Sequence, residues 1–155
     1  MKRGAFAKYM GKEFKAGNRL GEITLFSKNL ADIEKYGFEK CEAFDMYGFG
    51  RVVCEKNVPL SEVEEYYVIG LNAIYEGYKG GIGRPDKDNN VVIGFGWGDM
   101  TRDEAKRLGM EVGYGEYYKK VPMDELEIFE EREDYDIPKL VEMFEKAKEK
   151  NKEDD

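Results

Sequence analysis

Three short blocks occur twice along this chain, in the same order, and that recurrence limits the fold more than any other feature. Lys8-Tyr9-Met10-Gly11 followed by Gly17 returns, with the same internal spacing, as Ile74-Tyr75-Glu76-Gly77 followed by Gly83. Gly37-Phe38-Glu39 returns as Gly109-Met110-Glu111, and Val58-Pro59-Leu60-Ser61-Glu62-Val63-Glu64 as Val121-Pro122-Met123-Asp124-Glu125-Leu126-Glu127. Three blocks in order predict an internal duplication, with copy one at about 5–70 and copy two at about 73–134. A unit of roughly 65 residues is marginal as an independent core. The copies are therefore expected to pack as one compact domain over 1–136, with 137–155 as a helix and charged tail. The composition suits a folded domain: 41% hydrophobic and 14% aromatic residues, with eleven Tyr and nine Phe, more than a disordered chain carries.

Each copy reads as strands and turns around one short helix. The Tyr-x-Gly stretch and the glycine-rich segment before Glu22-Ile23-Thr24-Leu25-Phe26 predict two strands joined by a turn. In copy two the turn is Gly83 to Asn90 and the strand Val91-Val92-Ile93-Gly94-Phe95, where β-branched residues resume after Gly, Pro, Asp and Asn. Thr101-Arg102-Asp103-Glu104 has the form of a capping box, with Gly109 to close the helix. Asn29 to Tyr36, closed by Gly37, is its counterpart. Strands follow at Arg51–Cys54 and Tyr117–Val121, and each copy ends on its Val-Pro block, whose proline suits a strand start or a bulge. Glu125-Leu126-Glu127-Ile128 alternates as a half-exposed strand. The fold class expected is α+β, mainly antiparallel β: an internally duplicated small β-rich unit, SH3-like barrel or sheet, with short helices and a C-terminal amphipathic helix. In that last helix Ile137, Leu140, Val141 and Phe144 share one face, Asp136 can cap it, Pro138 fits its first turn, and Glu142 and Lys146 form an i,i+4 pair.

The chain contains no histidine. The usual general base, the commonest zinc ligand and any Ser-His or Cys-His arrangement vanish together. Carboxylates, Lys and Tyr remain able to do chemistry, but the reading is a protein that is not an enzyme, with no catalytic, cofactor-binding or metal-ligating residues. Cys41 and Cys54 are expected as reduced thiols with core character. No run approaches the ~18 consecutive apolar residues of a membrane helix, and Lys8 interrupts any apolar stretch behind the basic N-terminus, so no signal peptide is expected. The location predicted is the cytoplasm. Net charge is −8, a surface that repels phosphate backbones and anionic membranes and attracts basic partners, or that serves solubility alone.

Several segments invite a functional reading. Asp86-x-Asp88-x-Asn90 copies the first half of a calcium loop, but Val91 stands where the loop needs Gly and Trp97 where it needs Glu, so a polar turn is the better account. Gly80-Gly81-Ile82-Gly83 lacks the Gly-Lys-Ser/Thr and the following helix of a phosphate cradle, and reads as hairpin glycines. Gly94-Phe95-Gly96-Trp97-Gly98-Asp99 sets the only Trp among glycines, as an interface anchor or as a cover for a barrel mouth. Tyr47 and Phe49, in the aromatic insertion from Cys41 to Gly50, fill core space or form a binding loop. Glu127, Glu130, Glu131, Glu133, Asp134 and Asp136 form either a solvated run or a patch for a basic protein. The partner-binding candidates are Trp97, Tyr47, Phe49, Asp99, Glu130, Glu131, Glu133 and Asp134.

Phe6-Ala7-Lys8-Tyr9-Met10-Gly11-Lys12-Glu13-Phe14 with Gly21-Glu22-Ile23-Thr24-Leu25, and the Val58–Glu64 block leading to Ala73-Ile74-Tyr75-Glu76-Gly77-Tyr78, resemble immunity proteins of bacterial polymorphic and contact-dependent toxin systems. The resemblance runs to about Glu133 on strand-and-turn signatures. It implies a cytosolic antidote that binds and neutralises a cognate toxin domain with a basic surface, needs no cofactor, and engages neither nucleic acid nor membrane. It transfers no catalytic residues. Two other readings stand beside it: a phage-type anti-defence protein whose acidic face mimics nucleic acid, and a small ligand-binding or enzymatic domain using Tyr, Lys and carboxylates. A toxin gene beside this one would favour the first, and a deep pocket with convergent polar groups the last.

Overall fold

The structure is a computed structural model that describes residues 2–45 and 50–153. It divides into two compact units, one of Lys2–Ile69 with the chain from Arg132 onward, the other of Gly70–Glu131. The first contains β1 (Gly4–Tyr9), β2 (Lys12–Arg19), β3 (Glu22–Ser27), the short helix α1 (Asp32–Tyr36), β4 (Glu39–Asp45), β5 (Gly50–Pro59) and a 3-10 turn at Leu60–Glu62. Strand β6 (Glu65–Tyr75) then runs through Ile69 and Gly70, where one unit ends and the other begins. The second unit continues with β7 (Tyr78–Ile82), β8 (Asn90–Gly96), α2 (Arg102–Arg107), β9 (Glu111–Val112), β10 (Glu116–Pro122), a 3-10 turn at Met123–Glu125 and the start of β11 (Glu127–Asp134), a strand that pairs with β6 and whose residues from Arg132 belong to the first unit. Helix α3 (Ile137–Glu153) closes the description.

In the first unit the antiparallel strand order is β4-β5-β3-β2-β1-β6; in the second it is β9-β10-β8-β7-β6. Among the described residues no pairing closes a barrel, so the sheet and not the SH3-like barrel is what these strands form. The edges end locally: β4 shifts register against β5 between Lys40 and Ala43, and β9 has two residues.

Local chemistry explains the elements. Met10-Gly11 and Glu76-Gly77 both take positive φ at both residues (49° and 82°, 50° and 82°), the mirror-image turn whose twist matches a two-residue hairpin. The Leu20-Gly21 turn does the same, so the opening segment forms three strands rather than two. Thr101 Oγ1 accepts from the Glu104 N–H at 3.2 Å, the N-cap half of the expected box, while the Glu104 carboxylate accepts from Arg107 at 2.7 Å. Gly37 and Gly109 stand at φ 76° and 72° after their helices, where a side chain would meet the following carbonyl. Pro59 and Pro122 do not begin strands. Each is the last residue of one, and the next residue turns into the 3-10 segment, Leu60 N–H donating to Gly21 O at 2.8 Å and Met123 N–H to Asn89 O at 3.0 Å.

Alternation places the cores. Ile23 and Leu25 of β3 are fully buried among Ala7, Phe14, Tyr36, Phe38, Cys54, Val58, Leu60 and Tyr66. Val91, Ile93 and Phe95 of β8 form the second core with Ala73, Ile82, Met100, Ala105, Tyr117 and Val121. Each such aliphatic side chain contributes about 1.5–3 kcal/mol on burial. Ile137, Leu140, Val141 and Phe144 of α3 pack against the first core. Asp136 Oδ1 accepts from the Lys139 N–H at 3.2 Å, and Lys146 meets Glu142 at 2.9 Å. Cys41 and Cys54 are free thiols, and burial pushes both above the ordinary thiol range. No described helix is long and apolar enough to cross a membrane.

Candidate binding face

In β8 the inward residues are Val91, Ile93 and Phe95, so Val92, Gly94 and Gly96 face outward. Gly94 pairs across β7 with Gly81 and across β10 with Tyr118, and Gly96 pairs with Glu116. The result is an open groove of about 500 Å³ on the outer face, floored by Gly81, Gly83, Gly94 and Gly96 and walled by Val92, Tyr114, Glu116 and Tyr118. A second depression of about 480 Å³ meets it at Gly81 and Gly94, lined also by Asn72, Lys79 and Asp99. Glycine within a strand costs about 0.5–1 kcal/mol relative to alanine, so three on one face, Gly81, Gly94 and Gly96, need an explanation. One glycine of this region has a packing reason: a Cβ on Gly80 would stand 2.5 Å from Gly94 O and 2.6 Å from the Phe95 ring. At Gly94 and Gly96 the tight neighbours are only carboxylate ends, Glu116 Oε2 at 3.3 Å and Asp99 Oδ2 at 3.0 Å. At Gly81 the nearest atom to such a Cβ is Asn72 Oδ1 at 3.8 Å.

The rim is aromatic and acidic. Trp97 leaves β8 directly after Gly96, is 53% exposed, and donates its N–H to Gly115 O at 3.3 Å. Tyr114 is fully exposed. Tyr118 is hydrogen-bonded to Glu111, whose carboxylate holds the phenol above the usual tyrosine range. Lys120, further along the same outer face of β10, bonds Asp86 at 2.6 Å. That Asp86 also accepts from the N–H groups of Asp88 and Asn90 at 2.9 Å each, so it organises the turn that the calcium-like spacing occupies. The Lys120 bond holds its carboxyl below the usual carboxylate range. No metal-ligating cluster occurs among the described residues.

Of the residues singled out from sequence, Asp99 lines the second depression, while Trp97 follows Gly96 in the chain and bonds Gly115 through its backbone but lines neither depression. Glu131 accepts from Lys79 Nζ at 2.7 Å and from Asn72 Nδ2, two residues of the second depression. Glu130 lies on the same part of β11, while Glu133 and Asp134 fall in the other unit, where Asp134 takes a 2.8 Å bond from Arg132. Tyr47 and Phe49 lie outside the described residues. Sequence reasoning missed Tyr114 and Tyr118, and took Gly81 for a hairpin glycine where the structure places it within β7. The alternate glycines at 94 and 96 of β8, two residues apart and so on one face, were the available signal.

A second polar cluster was also missed. Asp32 is 1% exposed; Ser27 Oγ donates to it at 2.5 Å and Lys12 Nζ reaches both carboxylate oxygens at 3.1 Å. Cys54 is buried beside Ser27, while the Lys12 side chain keeps 41% of its surface exposed. It ties α1 to β2 and β3.

The family model described as Uncharacterised conserved protein UCP033725 matches residues 1–137. The chain belongs to that family. The match contains every residue of both depressions and stops at the first residue of α3. No curated protein and no solved structure matches the chain.

Proposed function

We propose that this protein is an antidote: a cytosolic binder that captures a cognate toxin domain through the outer face of the Gly70–Glu131 unit and carries out no chemistry itself. The observation behind the reading is the open groove floored by Gly81, Gly83, Gly94 and Gly96, with fully exposed Tyr114 in its wall and half-exposed Trp97 next in the chain after Gly96. Large aromatics held in water next to a close-approach surface are what a desolvated contact needs. The net charge of −8 favours a basic partner, and the resemblance of the opening and Val-Pro segments to immunity proteins supplies the toxin as that partner. The test is co-expression with the product of the adjacent gene. A stable complex whose release is faster in Trp97→Ala supports the reading; no complex with any neighbouring gene product removes it. The groove volume also falls within the range of small-ligand sites, and saturable binding of a metabolite without any protein partner would favour that alternative.

We infer also that the two units carry copies of one ancestral element. The support is a shared register. Pro59, Val58, Lys56 and Cys54 of β5 face Glu22, Ile23, Leu25 and Ser27 of β3 as Pro122, Val121, Lys119 and Tyr117 of β10 face Asn90, Val91, Ile93 and Phe95 of β8. Tyr9 faces Lys12 as Tyr75 faces Tyr78. The order from edge to centre, β4-β5-β3-β2-β1 and β9-β10-β8-β7-β6, is the same. A crystal structure in which Lys56 and Lys119 fail to superpose together with Pro59 and Pro122 would end this inference.

A further inference from the structure

One cross-strand row differs between the units in a way that identifies what the groove receives. In the first unit the row runs Phe6–Lys15–Phe26–Glu55–Glu39. In the second, the same ladder positions read Asn72–Gly81–Gly94–Tyr118–Glu111. The first unit therefore covers its outer face with its own Lys15 and Phe26. Lys15 is 6% exposed, lies 4.9 Å from the Phe6 ring centroid and donates to Arg3 O at 2.6 Å. Phe26 lies over Gly17, 3.5 Å from where its Cβ would stand. The second unit has two glycines at the corresponding places.

Neither glycine is required by the backbone. Gly81 and Gly94 are absent from the glycines with positive φ. A Cβ at Gly94 would come 3.3 Å from Glu116 Oε2, the movable end of a side chain, and 3.9 Å from Tyr117 O. At Gly94 only that movable carboxylate would have to give, and a glycine in mid-strand that no backbone angle requires marks an approach from outside.

We propose that the groove over Gly81 and Gly94 receives an aromatic side chain flanked by a basic residue, presented by a protein partner in place of the Lys–Phe pair that the first unit carries itself. This rests on the binding and duplication readings above. Val92, Tyr114 and Tyr118 offer the ring apolar and edge-to-face contacts. Glu116, whose Oε2 lies 3.3 Å from where a Cβ on Gly94 would stand, offers a cation beside that ring its counter-charge.

The test uses the whole protein and three capped tripeptides, Lys-Phe-Lys, Lys-Ala-Lys and Glu-Phe-Glu, followed by amide chemical shifts in titrations to millimolar concentration. Lys-Phe-Lys should move the amides of Gly81, Gly94, Gly96 and Tyr118 saturably, with the other two about ten-fold weaker, the loss of one good anchor. Gly94→Phe, which refills the groove from within, should abolish those shifts while leaving the thermal melt intact. Should that variant not fold, Gly81→Lys, restoring the first unit's lysine, carries the same expectation. Absent shifts, shifts elsewhere, equal response to Lys-Ala-Lys, or binding retained by the filled variant would each overturn the proposal. Peptide binding without any toxin complex would end the antidote reading alone. A toxin complex indifferent to Gly94→Phe would end this one alone.

Discussion

Lys56 and Lys119 show how single residues hold this fold. Lys56 Nζ donates to Tyr9 Oη at 3.0 Å and to Tyr36 O at 2.8 Å; Lys119 Nζ donates to Tyr75 Oη at 3.1 Å and to Leu108 O at 2.8 Å. Each satisfies a carbonyl at a helix C-terminus, just before the glycine that ends it, where no backbone partner remains. Lys56→Met and Lys119→Met should each lower stability by about 1–3 kcal/mol, read from chemical denaturation; a neutral result for either would mean that its contact is incidental. Tyr118 gives a pH signature. Its raised pKa favours the protonated phenol in the folded protein, so its contribution is complete below the unfolded value of about 10 and is lost as pH rises through the folded value. Ultraviolet titration should find Tyr118 ionising above an ordinary tyrosine, and Glu111→Gln should bring it down. No change in that variant would show that the carboxylate does not control the phenol.

At the scale of elements, α3 rests on the first core through Ile137, Leu140, Val141 and Phe144, and Phe144 lies 3.5 Å from where a Cβ on Gly21 would stand. Phe144 is only partly buried, so Phe144→Ala should cost about 2–3 kcal/mol, below the 3–5 of a fully buried phenylalanine. A melt unchanged by that substitution would mean that the helix is not part of the cooperative unit. The spacing of these four residues and the Asp136 cap make α3 readable from sequence alone, because helix periodicity and capping are local. The same holds for α2, through Thr101 and Gly109, and for the β8 alternation of Val91, Ile93 and Phe95. The Val-Pro blocks misled for an equally local reason: proline's fixed φ suits the end of a strand as well as its start, and the bond from Leu60 to Gly21 decides between them.

For the whole molecule, the net charge of −8 should act on encounter more than on residence. Raising salt from ~50 to ~500 mM shortens the screening length from ~14 to ~4 Å, so capture of a basic partner should slow by about ten-fold while release changes little. An association rate indifferent to salt would leave the acidity as a solubility feature. Charge, periodicity, turn chemistry and the recurring blocks are properties of neighbouring residues or of the chain as a sum, and the sequence determined them: mainly antiparallel β, short capped helices, an amphipathic C-terminal helix. Tertiary structure decided what depends on which distant residues meet. Asp32 looks like any helix-start carboxylate until Ser27 and Lys12, from two strands, close over it. Gly80 and Gly81 are indistinguishable neighbours in sequence. Only the pairing of β7 with β8 puts one against the Phe95 ring and the other over open space, because side chains of adjacent strand residues point to opposite faces.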